Sequence, residues 1–84
     1  MALFFIDYDL RKRKDYPELI TELKRIGAIR YLKSGWCVKR GDTVTAEALL
    51  NHLRTYIDAD DGMMIALVSN WACIKTENTP NTLL

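Results

Sequence analysis

The sequence is poor in the residues that build disulfide scaffolds, zinc sites and phosphate-binding glycine loops. Its 84 residues include two cysteines, one histidine, four glycines and two prolines. The two cysteines lack zinc-ligand spacing, and we expect both to be reduced thiols of a cytoplasmic protein, with a single disulfide as the alternative. No glycine-rich phosphate cradle is present, so nothing in the sequence supports a small-ligand regulator.

Long apolar runs are also missing. No segment approaches the roughly 20 apolar residues of a membrane span. The N-terminal segment has no basic start and reaches Asp7 too early for a secretory signal. With 49% apolar residues, the chain is predicted to fold as one domain over residues 1–73. Residues 74–84 are expected to form a short tail, with an extra strand near Ile74 as an option and an exposed stretch over 76–82.

Charge is unevenly distributed although the net charge is only +1. Residues 1–40 contain ten Lys or Arg and five Asp or Glu, whereas residues 41–84 contain two and six. The first half therefore has the charge needed to face a polyanion such as nucleic acid. A dipolar soluble domain that is self-complementary in a dimer explains the same layout.

Four short segments have the composition of β-strands. The alternating segment 2–9 predicts the first strand, and segments 28–32 and 36–40 predict a hairpin around the turn at 33–35. The segment 63–69, which is apolar on both faces, predicts the last strand.

Two segments with apolar residues at helical spacing predict two helices. The first, PELITELKRIG, follows Asp15 as predicted N-cap and ends at Gly27. The second, TAEALLNHLRTYID, begins with Thr45 as predicted N-cap. The order strand–helix–strand–strand–helix–strand predicts a ferredoxin-like α+β fold, βαββαβ, with an antiparallel four-stranded sheet and both helices on one face.

The other face of the predicted sheet does not look suited to water, because the first and last strands are apolar on both sides. An exposed apolar patch on the order of a few hundred Å² marks an interface. We therefore expect a face-to-face homodimer, with a heterologous protein on the same face as the alternative. The predicted dimer-interface residues are Leu3, Phe5, Trp36 and Trp71. For the two tryptophans, packing in the core is the competing interpretation.

Two carboxylates, Asp7 and Asp9, lie on one face of the first predicted strand, about 6.6 Å apart along the chain at ~3.3 Å per residue. A hard cation such as Mg²⁺ or Mn²⁺ binds one or two such groups together with water. A dimer could bring both pairs to its twofold axis, where a bound metal would activate water against a phosphodiester. The alternative is a strand end at which Asp9 pairs with Arg11 or Arg13.

A run of four cations follows Asp9 and Leu10. These residues are Arg11, Lys12, Arg13 and Lys14. Adjacent cations on a loop are typical of phosphate contact without base specificity. Lys33 and Ser34, in the predicted turn, extend the set of candidate nucleic-acid contacts. A solvated loop that offsets the nearby acids explains the same run.

Other chemically active side chains carry less information. His52 falls on the polar side of the second predicted helix, and we expect a surface residue without a catalytic role. Cys37 and Cys73 are expected to serve in packing. The acidic stretch 58–61 lacks the spacing and the terminal Glu of a calcium loop, which excludes that site.

Several of these stretches together resemble the small CRISPR-associated Cas-two-like family. They are a first strand ending in YDL, the basic loop, YPELITELKRIGA, the SGW-V strand and IALVSNWA, within residues 3–72. The likeness is greatest to stand-alone SinR-like relatives and extends more distantly to VapD toxins. It implies a ferredoxin-like homodimer, and in nuclease members the Asp of a Y-D motif helps to bind a divalent metal. Tyr8 and Asp9 match that motif, which makes Asp9 the candidate catalytic residue.

The sequence thus predicts a cytoplasmic homodimer that binds nucleic acid weakly, with possible Mg²⁺- or Mn²⁺-dependent endonuclease activity on RNA or DNA. The chain is almost neutral and lacks the family's usual C-terminal extension, so a role in spacer acquisition is not expected. The alternative is a non-catalytic interaction module of a toxin–antitoxin, phage or mobile-element system that modulates a partner protein.

Overall fold

The structure, a computed structural model, describes residues 2–12 and 16–83. Four strands and two helices follow one another in the predicted order. They are β1 (Ala2–Asp9), α1 (Pro17–Arg25), β2 (Ile29–Leu32), β3 (Gly35–Arg40), α2 (Ala46–Leu53) and β4 (Gly62–Val68). Short 3-10 turns cover Arg54–Tyr56 and Pro80–Leu83.

The sheet has the strand order β2-β3-β1-β4, and all neighbouring strands are antiparallel. This order confirms the predicted ferredoxin-like α+β fold, in which the first strand lies between the two strands that follow the hairpin turn and the second helix. Within the described residues, neither helix has the length and apolar character needed to span a bilayer.

The helix ends follow from local chemistry. Pro17 opens α1 directly after Tyr16, whose side chain makes no capping bond, and the predicted cap Asp15 lies outside the described residues. Gly27 ends this helix with a φ of 86°, the left-handed conformation that favours glycine. The predicted cap of α2 is confirmed, because Thr45 Oγ1 accepts a hydrogen bond from the Ala48 amide at 3.1 Å.

One hydrophobic core lies between the helices and one face of the sheet. Alternate residues of β1 supply its centre. They are Phe4, Ile6 and Tyr8, and they pack with α1 and α2 residues such as Leu19, Leu23 and Leu53. Trp36 stands opposite Ile6 in the register, on this same face, and its Nε1 donates a 2.9 Å hydrogen bond to the Tyr8 hydroxyl. At 2% exposure, Trp36 is a core residue and does not belong to an exposed dimer surface.

The face of the sheet away from the helices is partly covered by the chain's own C-terminal strap, residues 69–83. The Glu77 amide donates to the Tyr31 carbonyl at 2.9 Å, and Asn78 Nδ2 donates to the Arg30 carbonyl at 2.8 Å. The 3-10 turn at Pro80–Leu83 packs against β3, and Pro80 is buried. The strap therefore crosses from the end of β4 to the edge strand β2.

The strap changes two expectations. Residues 76–82, expected to be an exposed tail, include the buried Pro80, and the strap's described residues contain no further strand at Ile74. Leu3 and Cys37 lie on the face away from the helices, yet they are 8% and 0% exposed. Of the predicted interface residues, Leu3 is thus buried by the chain itself, while Phe5 and Trp71 are half-buried. The strap covers this face on the β2–β3 side, so less apolar surface is left for a partner than the sequence suggests.

Candidate nucleic-acid interface

Several predicted site residues meet at one end of the sheet. Since β1 is antiparallel to both neighbours, its C-terminal end lies beside the N-terminal ends of β3 and β4. Asp9 stands opposite Gly62, and the Tyr8 amide donates to the Ser34 carbonyl at 3.2 Å. Asp9, Lys33 and Ser34 also line one surface depression of about 450 Å³. Residues far apart in the sequence are therefore neighbours at this polar end of the sheet.

The loop after β1 is held by its backbone and by one guanidinium group. The Arg11 amide donates to Asp61 Oδ1 at 2.8 Å, and Arg11 Nη1 donates to the Asp60 carbonyl. The same guanidinium pairs with Asp9 across 3.6 Å, and Lys12 Nζ lies 3.5 Å from Asp58 Oδ2. The pairing of Asp9 with Arg11 is the alternative that the sequence left open for this strand end. The other two cations of the run, Arg13 and Lys14, lie outside the described residues.

These ion pairs are so exposed that their cations remain able to bind a phosphate group. The side chains of Arg11 and Asp9 are 57% and 77% exposed, and those of Lys12 and Asp58 are 64% and 45% exposed. Exposed pairs of this kind contribute about 0.2–1 kcal/mol each. A phosphate group can therefore replace the carboxylate partner of either cation at small cost, while the backbone contact at Arg11 keeps the loop in place.

The acidic stretch before β4 organises this end of the sheet, a role that reasoning from the sequence missed. The Asp58 amide donates to Asp61 Oδ2 at 2.9 Å, and the Tyr16 hydroxyl donates to Asp58 Oδ2 at 3.1 Å. The hydrogen bond from the Arg11 amide holds the pKa of Asp61 below its usual value. Burial, followed by the two carboxylates, raises the pKa of Tyr16. This acidic stretch holds the loop after β1 in place. The only sign of this in the sequence was indirect: if β1 and β4 pair antiparallel, the loop after β1 lies beside the loop before β4.

Asp7 lies two residues before Asp9 on β1, further from this end of the sheet, and has a different hydrogen-bond partner. Tyr31 Oη donates to Asp7 Oδ1 at 3.0 Å, and the pKa of Tyr31 is raised by burial and by this carboxylate. Gly35 makes the contact possible, because a Cβ there would lie 2.8 Å from Tyr31 Cζ and 3.0 Å from Asp7 Oδ1. Tyr31 thus lies across Gly35, and a side chain at that position would displace it.

The two predicted metal ligands, Asp7 and Asp9, have different partners in the structure. Among residues 2–12 and 16–83, no three His, Cys, Asp or Glu side chains come together as a metal-binding group. Mg²⁺ needs only one or two carboxylates with water. Asp9 could supply one of these oxygens, whereas Asp7 already accepts the Tyr31 hydrogen bond. The Mg²⁺ or Mn²⁺ site stays a prediction, and no reaction step is derived from it.

A buried carboxylate joins the two helices. Glu22 accepts two bonds from the Arg25 guanidinium at 2.6 Å, and its Oε2 lies 2.5 Å from His52 Nε2. These contacts, with the Arg25 bonds first, lower the pKa of Glu22 to about 2. His52, expected on the surface, is half-exposed with this carboxylate as its partner. The contacts of the cluster are structural, and it serves to join α1 to α2.

The low pKa of Glu22 predicts a loss of stability in acid. The carboxylate's pKa falls from an ordinary 4.5 to about 2 on folding, so its contribution is complete above about pH 4.5 and is lost as the pH falls towards 2. We expect Glu22→Gln to remove this part of the pH dependence of the free energy of unfolding, measured by urea denaturation from pH 7 to pH 2.5. The control is Glu47→Gln, an exposed Glu of α2. A Glu22→Gln profile parallel to the wild-type profile would contradict the prediction.

Comparison with known proteins leaves the family open. No protein-family model matches the chain, and no solved structure matches it. The likeness to the Cas-two-like family therefore remains a prediction from the sequence motifs, and the polar end of the sheet must be interpreted from its own chemistry.

Proposed function

We propose that the protein is a homodimer that binds the sugar–phosphate backbone of nucleic acid through the polar end of its sheet. The observation that supports this most is the convergence of cations from separate segments at that end. Arg11 and Lys12 follow β1, Lys33 precedes β3, and Arg54 lines a depression together with Asp58. Phosphate contacts of this kind position a nucleic acid without reading its bases.

The acids at the same end set the expected strength of binding. Four acids at this end, Asp9, Asp58, Asp60 and Asp61, equal the four described cations in number, so we expect weak, salt-sensitive and sequence-independent binding. Each cation that moves from an exposed carboxylate to a phosphate releases counterions from the nucleic acid, and this release provides most of the driving force. The binding constant should therefore fall steeply as salt is added.

The experiment compares two pairs of identical substitutions. Lys12→Gln/Lys33→Gln removes two cations from the polar end of the sheet, and Lys24→Gln/Lys39→Gln removes two from α1 and from the far end of β3. We expect the first variant to bind labelled duplex DNA or single-stranded RNA roughly thirtyfold more weakly, at about 1 kcal/mol for each contact. The slope of log K against log salt should also drop by about 0.9 for each duplex phosphate that the variant no longer neutralises.

The second variant has the same net charge as the first and controls for a general electrostatic effect. Equal weakening by both variants would contradict a localised site. Wild-type protein that binds neither nucleic acid at low salt would contradict the proposal itself.

Cleavage is the further part of the proposal and depends on Asp9. This carboxylate is largely exposed at the end of β1 and accessible to a hydrated cation. We expect Asp9→Asn to abolish any Mg²⁺- or Mn²⁺-dependent cleavage of RNA or DNA while nucleic-acid binding persists. Wild-type protein that cleaves neither substrate with either metal would rule out the endonuclease.

A non-catalytic module that modulates a partner protein is the second candidate, and one observation favours it. Large apolar side chains remain exposed at Leu32, Met64, Leu67 and Ile74. A complex held by such residues should be insensitive to salt, unlike one held by phosphate contacts. The same salt series, applied to any complex that the protein forms, therefore distinguishes the two functions directly.

A further inference from the structure

The two edge strands of the sheet, β2 and β4, differ in whether another segment of the chain bonds their outer side. The edge strand β2 is bonded by the strap, through the Glu77 amide to Tyr31 and through the Asn78 side chain to Arg30. The other edge strand, β4, pairs only with β1 within the described residues. An edge strand without a neighbour presents a row of backbone N–H and C=O groups that a further strand can bond.

The residues of β4 provide none of the usual protection of an exposed edge. Its sequence, GMMIALV, contains no charged residue and no proline, although Lys and Pro are the common means of blocking edge pairing. Met64 and Leu67 are 70% and 65% exposed and project to opposite faces of the sheet. The edge therefore has exposed apolar side chains on both faces of the sheet, beside backbone groups that β1 does not bond. This combination is typical of a strand that pairs with another strand.

We infer that β4 pairs antiparallel with β4 of a second copy of this chain and joins two four-stranded sheets into one of eight strands. The inference rests on the dimer of the proposed function and assigns a surface to it. A twofold axis near Ile65, the middle residue of β4, would place each β4 against an identical strand in antiparallel direction. Since the strand is uncharged, no like charges meet across the axis.

A second copy fits this edge better than a foreign strand for reasons of chemistry. The edge selects for an uncharged, apolar strand of about seven residues, and every copy of the chain carries one. The contact also extends beyond the backbone, because α2 packs on β4 and both α2 helices would lie on the same side of the joined sheet. The half-buried Leu50 of α2 and the exposed Leu67 would then gain apolar neighbours.

The size of the strand sets the expected affinity. Seven residues extend over about 20 Å at ~3.4 Å per residue. A strip of this length, even with the adjoining part of α2, buries less than the roughly 800 Å² per partner of a standard stable interface. We therefore expect a dimer with a dissociation constant in the micromolar range, which fixes the concentrations at which it must be sought.

This pairing also determines where the polar ends of the two sheets lie. Asp9 stands opposite Gly62, the first residue of β4, and antiparallel pairing about Ile65 sets the two Gly62 residues about 20 Å apart. The two Asp9 carboxylates therefore do not meet at the twofold axis, in contrast to the shared metal centre considered from the sequence. The dimer instead offers two separate phosphate-binding ends, which increases its avidity for a long nucleic acid.

The experiment places a charge on the edge and compares it with a charge elsewhere. Met64→Lys and Leu67→Lys each replace an exposed side chain of β4, and Ile74→Lys replaces an 81% exposed side chain of the strap. Sedimentation velocity from about 1 to about 300 µM, a range that brackets a micromolar dissociation constant, follows the dimer, with circular dichroism to verify folding. We expect each β4 variant to raise the dissociation constant at least tenfold and Ile74→Lys to leave it unchanged. Pairing about Ile65 places the two Met64→Lys charges close to the axis on one face of the sheet, whereas Leu67→Lys sets its charge opposite the apolar Met63 of the second copy.

Three results would overturn the inference: a wild-type chain that is monomeric throughout, a dimer that survives both β4 substitutions, or a dimer that Ile74→Lys weakens as much as the β4 substitutions do. Binding of short oligonucleotides, too short to reach both ends, is measured on the same variants. A wild-type chain that is monomeric and still binds them would contradict the β4 pairing and leave the phosphate site intact. An intact dimer that binds no nucleic acid would contradict the proposed function alone.

Discussion

A Cys73→Ser variant is expected to react with Ellman's reagent at pH 8 at least a hundredfold more slowly than a Cys37→Ala variant. Its remaining thiol, Cys37, is fully buried on the face of the sheet that the strap covers. Burial raises the pKa of Cys37 to about 11, which leaves about one thiolate in a thousand at pH 8. The thiolate is the reactive form, and the strap also blocks the reagent. Cys73, on the strap itself, is exposed.

The control is the same reaction in guanidinium chloride, where both variants should react at similar rates because neither thiol is protected. Comparable rates in the native state would contradict the covered face. They would mean that the strap leaves β3 accessible for most of the time, as in a sheet with a bare face.

A Leu3→Ala variant is expected to lose about 2–3 kcal/mol of free energy of unfolding, the lower part of the range for a buried Leu truncated to Ala. Leu3 is 8% exposed although it lies on the side of β1 away from the helices. On a bare face its truncation would remove little buried area. The cost therefore reports how well the chain covers this part of the sheet, and urea denaturation measures it.

Met64→Ala is the matched comparison on the same face. Met64 stands opposite Asp7 on β4 and is 70% exposed, so its truncation should change the stability of the monomer by less than about 0.5 kcal/mol. Both variants are compared at concentrations well below those that favour dimers. A Leu3→Ala cost as small as that of Met64→Ala would show that the chain does not bury Leu3.

The fold could be predicted because the spacing of apolar residues and the residues that begin or end helices and strands indicate the same elements along most of the chain. The alternation in 2–9 gives β1 with the same bounds as the structure, and Gly27 and Thr45 mark helix ends by chemistry that depends only on neighbouring residues. Such local signals survive folding unless tertiary contacts oppose them. Here the strand order β2-β3-β1-β4 follows from the order of the elements.

The burial of individual side chains was less predictable, because it depends on register and on distant segments. Trp36 enters the core because β3 pairs with β1 so that Trp36 stands opposite Ile6, and a shift of one residue would have turned it outward. The strap is rich in Thr and Asn, and its apolar residues have no regular spacing that would predict that it packs on the sheet. Its contacts combine single hydrogen bonds to the edge strand, such as that of Glu77 with Tyr31, with packing of Pro80–Leu83 against β3.

The proximity of the candidate site residues could be predicted from the sequence, but the residues that hold Arg11 in place could not. Asp9 and Arg11 are close in sequence, and antiparallel pairing alone brings Lys33 to the same end of the sheet. The acids that hold Arg11 come from the loop before β4, about 50 residues away. Pairing at that sequence distance follows from the sheet topology and from no local pattern.

Amide hydrogen exchange of the wild-type chain at about 1 µM and at about 300 µM, on either side of the expected dissociation constant, tests the central claim most directly: the strap covers one side of the sheet, and β4 is left to pair with a second copy. The β4 amides that do not bond β1 should become protected only at the higher concentration. The strap and β2 should show the same protection at both. Protection that grows along β2 or the strap, or that grows nowhere, would contradict this account.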